Sequence, residues 1–179
     1  MANDSAATLN AKPHLSILFV CLGNICRSPL AEGVFRAVAA ERGVSGAYIV
    51  DSAGTGGWHL GSAPDPRSID IAASHGIDIS SQKARRIVPA DFSRFDLILG
   101  MDQSNVEDLK AMAPPELVDR VHLFLDFAAR SAAEIPDPYH GGPDGFAGVY
   151  RMVREASERL AETLERTSEP PSGQASSTT

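Results

Sequence analysis

Apolar residues follow two recurring patterns along the chain. Short continuous apolar runs predict strands, and longer segments with apolar residues three or four positions apart predict helices. The strands fall at 15–20, 47–51, 95–99 and 121–125, and the helices at 29–42, 66–75, 102–112 and 145–166. Because strands and helices alternate, we expect an α/β fold: a single domain with a four-stranded parallel sheet flanked by helices on both faces, doubly wound and Rossmann-like. Such sheets bind ligands at the carboxyl ends of their strands.

The two ends of the chain depart from this pattern. Residues 1–12 are small and polar, and residues 168–179 are rich in Pro, Ser and Thr. Segments of this composition bury too little apolar surface to fold, so we expect both ends to be disordered and the folded domain to span 13–167. The length of 179 residues is near the usual size of one domain, and a hydrophobic content of 43% can fill a core.

Charge and composition exclude several classes of partner. A net charge of −7, with no basic cluster longer than Arg85-Arg86, argues against nucleic-acid binding. No apolar run has the length of a membrane span, and the first residues lack a basic segment followed by an apolar one. We therefore expect a cytoplasmic monomer with no membrane partner. The chain has two cysteines, whereas a closed zinc site needs about four ligands, so we expect no metal and no other cofactor.

The segment 21–29 joins the first predicted strand to the first predicted helix. A loop in this position directs backbone N–H groups at one spot, and the helix N-terminus adds partial positive charge, so we expect it to bind an oxyanion such as phosphate. The guanidinium of Arg27 offers two donors that match two phosphate oxygens. The same field favours the thiolate form of Cys21, which is a nucleophile. The other phosphate-binding candidates are the loop residues Leu22, Gly23, Asn24, Ile25, Cys26 and Ser28.

A phosphate ester is cleaved readily only if its leaving oxygen gains a proton, and the loop contains no carboxylic acid close enough in sequence. Asp137 is the best candidate for this acid. Two prolines stiffen the backbone around it, and two glycines follow before the last predicted helix. On local sequence alone, Asp137 could equally belong to an ordinary Pro/Gly turn.

These motifs resemble those of the low-molecular-weight protein tyrosine phosphatases. The likeness rests on the segment 21–29 and on Asp137-Pro138-Tyr139, and it covers about residues 14–166. Further matching segments are Trp58 and residues 51–55, 64–67, 75–77, 83–85 and 101–102. The resemblance implies hydrolysis of a phosphotyrosine-containing protein or a small aryl phosphate through a cysteinyl-phosphate, without metal. It makes Cys21 the nucleophile, Arg27 the holder of the phosphoryl oxygens and Asp137 the general acid.

The resemblance also assigns a supporting network behind the loop. Its members would be Asn24, Ser28, Ser52 and His75. Asn24 tolerates left-handed backbone geometry better than most residues, which suits a tight loop. His75 has an alternative role at a helix C-terminus before Gly76, where the helix dipole alone favours it.

Two aromatic residues, Trp58 and Tyr139, match family positions whose rings form the walls of a deep slot for a phenyl phosphate. Leu22 would add an apolar floor. Trp58 lies in a glycine-rich stretch, and it could instead pack as a lid over core residues. Where the family often has a second tyrosine after Asp-Pro-Tyr, this chain has His140, which makes one wall more polar.

Other interpretations remain. Arsenate reductases share the loop but pass a disulfide to a further cysteine, and none follows Cys26. An inactive phosphotyrosine-binding module would be expected to have lost Cys21 or Asp137, and both are present. Cys21 and Arg27 could also be a buried thiol and a surface arginine, but their spacing across a strand–helix loop argues against this.

Cys26 is either a small packed side chain or, as the resemblance implies, a thiol that traps oxidised Cys21 as a disulfide.

Overall fold

The structure, a computed structural model, describes residues 14–168. Four strands form one sheet in the order β2-β1-β3-β4, and every neighbouring pair is parallel. The strands are β1 (Leu15–Cys21), β2 (Tyr48–Gly54), β3 (Leu97–Gly100) and β4 (Val121–Leu123).

Six α-helices occur among the described residues. They are α1 (Arg27–Glu41), α2 (Pro66–Ser74), α3 (Pro89–Arg94), α4 (Gln103–Met112), α5 (Phe124–Ala129) and α6 (Pro143–Ser168), with short 3₁₀ helices at Ser45–Ala47 and Pro115–Arg120. The start of α2 is fixed by Asp65, whose carboxylate accepts the N–H of Arg67, and by a proline in the first turn. Across residues 14–168, no helix combines the length and the apolar character needed to cross a membrane.

The central strand β1 is buried on both faces because its successive side chains point in opposite directions. Ile17 and Phe19 pack in a cluster with residues of α1, α5 and α6, whereas Leu18 and Val20 pack with residues of α3 and α4. The ring of Phe19 lies 5.1 Å from that of Phe124, measured between centroids. The predicted doubly wound α/β fold is therefore confirmed.

Several predicted boundaries were wrong. Helices α3 and α5 were not predicted, and α5 begins at Phe124, which shortens the strand predicted at 121–125. Six residues make less than two helical turns, too few for an apolar repeat to be recognised. Ser168, assigned to the disordered tail, is the last residue of α6. The predicted disorder of 1–12 and 169–179 falls outside the described residues.

The strand order places a crevice at the carboxyl end of β1. The chain leaves β1 for β2 on one side of it and later returns to β3 on the other side. In open parallel sheets, ligands bind where the connections diverge in this way. Cys21 is the last residue of β1, so the candidate nucleophile lies at this point.

Candidate active site

The β1–α1 loop, residues 22–26, joins Cys21 to Arg27. The carbonyl groups of Cys21, Leu22, Ile25 and Cys26 accept hydrogen bonds of 2.8–3.1 Å from outside the loop. The donors are the N–H groups of Thr55, Gly56 and Asp65 and the hydroxyl of Ser68. Within residues 14–168, no backbone N–H group of the loop donates to another protein group. The loop therefore turns carbonyls toward the protein and leaves its donors for an oxyanion.

Two backbone features hold the loop in this shape. Asn24 has a φ of 54°, in the left-handed region that Asn adopts more readily than most residues. The end of β2 also lies very close to the loop, since a Cβ on Gly54 would be only 2.8 Å from the carbonyl oxygen of Leu22. A side chain at Gly54 would push the loop away from the sheet.

A chain of side-chain hydrogen bonds connects the loop to Cys21. The amide nitrogen of Asn24 donates to the hydroxyls of Ser28 (2.9 Å) and Ser52 (3.0 Å). The Ser28 oxygen lies 3.0 Å from Cys21 Sγ. Because Ser28 accepts from Asn24, its own hydrogen can donate to the sulfur or to the Ala53 carbonyl, which lies farther away at 3.4 Å. The structure thus brings three of the four predicted supporting residues together.

Two charged residues without a predicted role complete this network. The Ser52 hydroxyl donates to the Glu32 carboxylate (2.8 Å), and the Arg85 N–H donates to the Asn24 amide oxygen (2.9 Å). Glu32 is buried, and this burial raises its pKa although the bond from Ser52 acts in the opposite direction. The Arg85 side chain pairs with Asp91 (3.0 Å). Both ends of the network are therefore anchored.

The prediction that His75 joins this network was wrong. His75 caps the C-terminus of α2 before Gly76, which has a φ of 76°. Its ring stacks on that of Tyr150, with centroids 3.8 Å apart and planes inclined by 9°. No hydrogen bond from the His75 side chain to the network is found in the described part of the chain. The alternative, a helix-terminal histidine, fits this position.

Arg27 is a buried side chain that is anchored at two points. It is only 2% exposed, and its NH1 donates to Asp102 Oδ2 (2.6 Å) and to the Ile135 carbonyl (3.0 Å). Burial alone would lower the pKa of Arg27, but the negative charges of Cys21 and Asp102 outweigh it and raise that pKa above its ordinary value. Arg27 is therefore a fixed cation beside the thiol.

Asp137 lies in the 135–142 loop, which follows the Arg27 contact at Ile135. Its Oδ2 is 3.6 Å from Arg27 NH2, and its Oδ1 accepts the N–H of Tyr139 (3.1 Å). The side chain is 45% exposed. The structure thus places the candidate acid beside the candidate phosphate-holding arginine, at the open side of the site.

A cavity of about 220 Å³ opens above the β1–α1 loop. Its lining includes Cys21, Arg27 and Asp137 together with Leu22, Trp58, His59, Tyr139 and His140. The Trp58 side chain is 72% exposed, and its ring packs against Gly56, where a Cβ would meet it at 1.8 Å. Trp58 is therefore a cavity wall and not a lid over the core.

Cys26 is buried within the loop. The pKa of the Cys26 thiol is raised to about 12. Burial is the largest cause, and the nearby charges of Asp65 and Cys21 add to it. At neutral pH this thiol is protonated, which agrees with a packed side chain and limits its reactivity as a nucleophile.

Four residues of the site had no predicted role, namely Glu32, Arg85, Asp102 and His59. Asp102 lies two residues after the end of β3 and caps α4, so its position after a buried strand could have suggested a place at the same edge of the sheet. His59 follows Trp58 in sequence and shares its cavity. Glu32 lies one turn beyond Ser28 on α1, and the spacing of four residues places both on one helix face.

No group of three or more His, Cys, Asp or Glu side chains is placed to hold a metal ion within 14–168. The donors of the site instead suit an anion, and the nearest reactive group is a thiol. A doubly wound sheet with such a loop after its central strand has the architecture of a cysteine-dependent phosphatase.

Comparisons with known proteins agree with this class. The family model described as "Low molecular weight phosphotyrosine protein phosphatase" matches residues 16–169. A protein of that name from Schizosaccharomyces pombe is 39% identical over 153 residues, which are 84% of this chain and 97% of the relative. The chain belongs to the low molecular weight phosphotyrosine protein phosphatase family, so the resemblance seen in the sequence is confirmed.

Two solved structures extend this likeness to the fold. The protein tyrosine phosphatase from Entamoeba histolytica has a TM-score of 0.81 at 38% identity and covers 86% of this chain and 98% of its own. YfkJ from Bacillus subtilis has a TM-score of 0.82 at 36% identity and covers 88% of this chain and 98% of its own.

Proposed function

We propose that this chain hydrolyses phosphotyrosine monoesters by covalent catalysis at Cys21. The observation that carries the proposal is the position of the thiol. Its Sγ lies 3.0 Å from the Ser28 hydroxyl, at the base of a loop whose N–H groups are free to bind an anion. The buried guanidinium of Arg27 flanks the same cavity.

In the first step, the Cys21 thiolate attacks phosphorus and the bond to the phenolic oxygen breaks. The loop N–H groups and Arg27 bind the equatorial oxygens, which carry the developing charge. Protonated Asp137 transfers its proton to the departing oxygen, so tyrosine leaves as a neutral phenol. The phosphoryl group remains on sulfur.

In the second step, water attacks the cysteinyl-phosphate while the Asp137 carboxylate accepts its proton. The sulfur–phosphorus bond breaks, and inorganic phosphate and the thiolate are released. Ser28 stabilises the leaving sulfur by donating its hydroxyl hydrogen, a direction that the bond from Asn24 leaves open. Asp137 thus serves as an acid and then as a base.

The cavity supports aryl esters as the substrate class. Trp58 and Tyr139 offer apolar walls at its mouth, and both are substantially exposed before a ligand enters. The relative from Schizosaccharomyces pombe is named a phosphotyrosine phosphatase. A phosphotyrosine protein or a small aryl phosphate is therefore the proposed substrate. The monomeric state and the cytoplasmic location stay predictions.

A substrate comparison tests the proposal. Purified protein would be given a phosphotyrosine peptide, the same peptide with phosphoserine, and arsenate with thioredoxin. We expect phosphate release from the phosphotyrosine peptide far above the other two, because an alkyl ester does not reach the aromatic walls and no later cysteine supports arsenate reduction. Arsenate turnover without phosphotyrosine hydrolysis would overturn it.

A further inference from the structure

Arg67 joins helix α2 to the 135–142 loop. Its Nε and NH2 donate to the two carboxylate oxygens of Asp65, the N-cap of α2, at 3.0 and 2.9 Å. The same guanidinium donates from NH2 to the Tyr139 carbonyl (3.0 Å) and from NH1 to the Gly141 carbonyl (3.1 Å). A single side chain therefore connects two segments that are more than seventy residues apart.

The guanidinium is fixed in orientation as well as in position. Its Cζ lies 4.4 Å from the ring centroid of Phe146, a residue buried in α6, and 5.8 Å from that of Tyr139. Its carboxylate partner Asp65 is held in turn, because the Asp65 N–H donates to the Ile25 carbonyl of the β1–α1 loop (2.8 Å). Arg67 thus links the 135–142 loop to the loop that carries the anion site.

Asp137 lies midway between two carbonyls that arginines hold. Two residues before it, the Ile135 carbonyl accepts from Arg27, and two residues after it, the Tyr139 carbonyl accepts from Arg67. We propose that Arg67 is a positioning residue, which keeps the Asp137 carboxyl over the departing oxygen by fixing the downstream half of its loop. This inference rests on the proposed role of Asp137 as the general acid.

The contact pattern requires arginine in particular. Four hydrogen bonds leave three different nitrogens of one planar group, and they reach a carboxylate on one side and two carbonyls on the other. A lysine ammonium has three donors on one atom and cannot span these acceptors. Arg67→Lys should therefore keep the charge near Asp65 and release the 135–142 loop.

A double-mutant cycle with Asp137→Asn tests the proposal, with phosphotyrosine and the activated ester p-nitrophenyl phosphate as substrates. Arg67→Ala should lower kcat for phosphotyrosine by about 10–100-fold, the scale of a misplaced catalytic group, with little change in KM and a much smaller loss for the activated ester. In the Asp137→Asn background, the same change should lower kcat no further. Arg67→Lys should behave like Arg67→Ala and covers the case in which the alanine variant fails to fold.

The matched control is Arg42→Ala, which removes another arginine with a two-bond carboxylate contact, to Glu165, outside the cavity. Its kinetics should equal those of the wild type. Suppose that Asp137→Asn shows its leaving-group dependence. The positioning role of Arg67 is then overturned if Arg67 substitution lowers kcat equally in the wild-type and Asp137→Asn backgrounds, or does not lower it at all. If Asp137→Asn shows no such dependence, the acid assignment and this inference are both wrong.

Discussion

The two loops that form the site are built differently. In the β1–α1 loop, Asn24 and Cys26 are buried and Leu22 is exposed. The carbonyls of Leu22, Ile25 and Cys26 accept hydrogen bonds from groups outside the loop, and Asn24 ties the loop to a side-chain network that ends at Glu32. The 135–142 loop is largely exposed, with Asp137 45% exposed and Tyr139 41% exposed, and its described side-chain anchors are chiefly Arg27 and Arg67.

This difference follows from what each loop does in the proposed reaction. Donors that stabilise a transition state act best when they are fixed before the substrate arrives, since no reorganisation is then needed. An acid that meets the leaving group must lie at the entrance, where the substrate passes. Changes in the β1–α1 loop should therefore affect every substrate, and changes in the 135–142 loop should depend on the leaving group.

The largest effect is expected for Cys21→Ser. Removal of the thiolate should lower kcat on the order of 10⁶-fold, as for other nucleophile deletions, because no covalent intermediate forms. Phosphate binding should persist, since the loop donors and Arg27 remain. Steady-state kinetics and calorimetric titration with phosphate measure the two quantities, and substantial turnover by a pure sample would exclude the covalent mechanism.

Asp137→Asn should show the leaving-group dependence that separates the two loops. We expect kcat to fall by about 10²–10⁴-fold for phosphotyrosine and far less for p-nitrophenyl phosphate, whose phenolate departs without a proton. Rates across a series of aryl phosphates with different leaving-group pKa values test this. A uniform loss across the series would indicate a purely structural role for Asp137.

Arg27→Lys should instead lower the rate for all aryl phosphates, by about 10²–10³-fold. An ammonium group cannot hold two phosphoryl oxygens in one plane, nor can it reach both Asp102 and Ile135 as the guanidinium does. The same substrate series provides the measurement. Kinetics near those of the wild type would show that Arg27 does not hold the transferring group.

Substitutions of Asn24 should separate its backbone role from its side-chain role. Asn24→Gly removes the hydrogen bonds to Ser28 and Ser52 but tolerates the φ of 54°. Asn24→Ala removes the same hydrogen bonds and also disfavours this φ. The alanine variant should be less stable than the glycine variant by about 1–2 kcal/mol. Urea denaturation measures this difference, and equal stabilities would mean that the left-handed conformation carries no cost here.

Cys26→Ser should have the smallest effect on kcat. If Cys26 traps oxidised Cys21, peroxide should inactivate the wild type reversibly, with a Cys21–Cys26 disulfide visible by mass spectrometry, and inactivate the serine variant irreversibly. The raised pKa of Cys26, about 12, means that its thiolate increases with pH across the neutral range. Trapping should therefore accelerate by about tenfold per pH unit. Equal recovery of both proteins would leave Cys26 as a packed side chain.

The part of the site that lies close together in sequence could be predicted well. The placement of Cys21 at a strand end and Arg27 at a helix start follows from the apolar run before the loop and the helical pattern after it. Asp137 required a chemical argument as well, because its turn is ordinary in sequence. Contacts between distant segments could not be predicted. Asp102 meets Arg27 across 75 positions, and a periodicity rule contains no information about such pairs.

His75 and the short helices show the same limit of prediction from sequence. The sequence around His75 suggested a place in the network behind the loop, but stacking on Tyr150 of the distant helix α6 orients its ring. Helices α3 and α5 have six residues each, so tertiary packing of Phe92 and Phe124 defines them more than any repeat does.

The central claim, that phosphate passes through Cys21, is tested most directly by trapping the intermediate. Asp137→Asn should slow the second step, because water then lacks its base, while p-nitrophenyl phosphate still reacts in the first step. After rapid quenching within one turnover and proteolysis, mass spectrometry should find a phosphoryl group on the Cys21 side chain before phosphate is released. Phosphate release with no adduct on Cys21, or an adduct on another residue, would contradict the account.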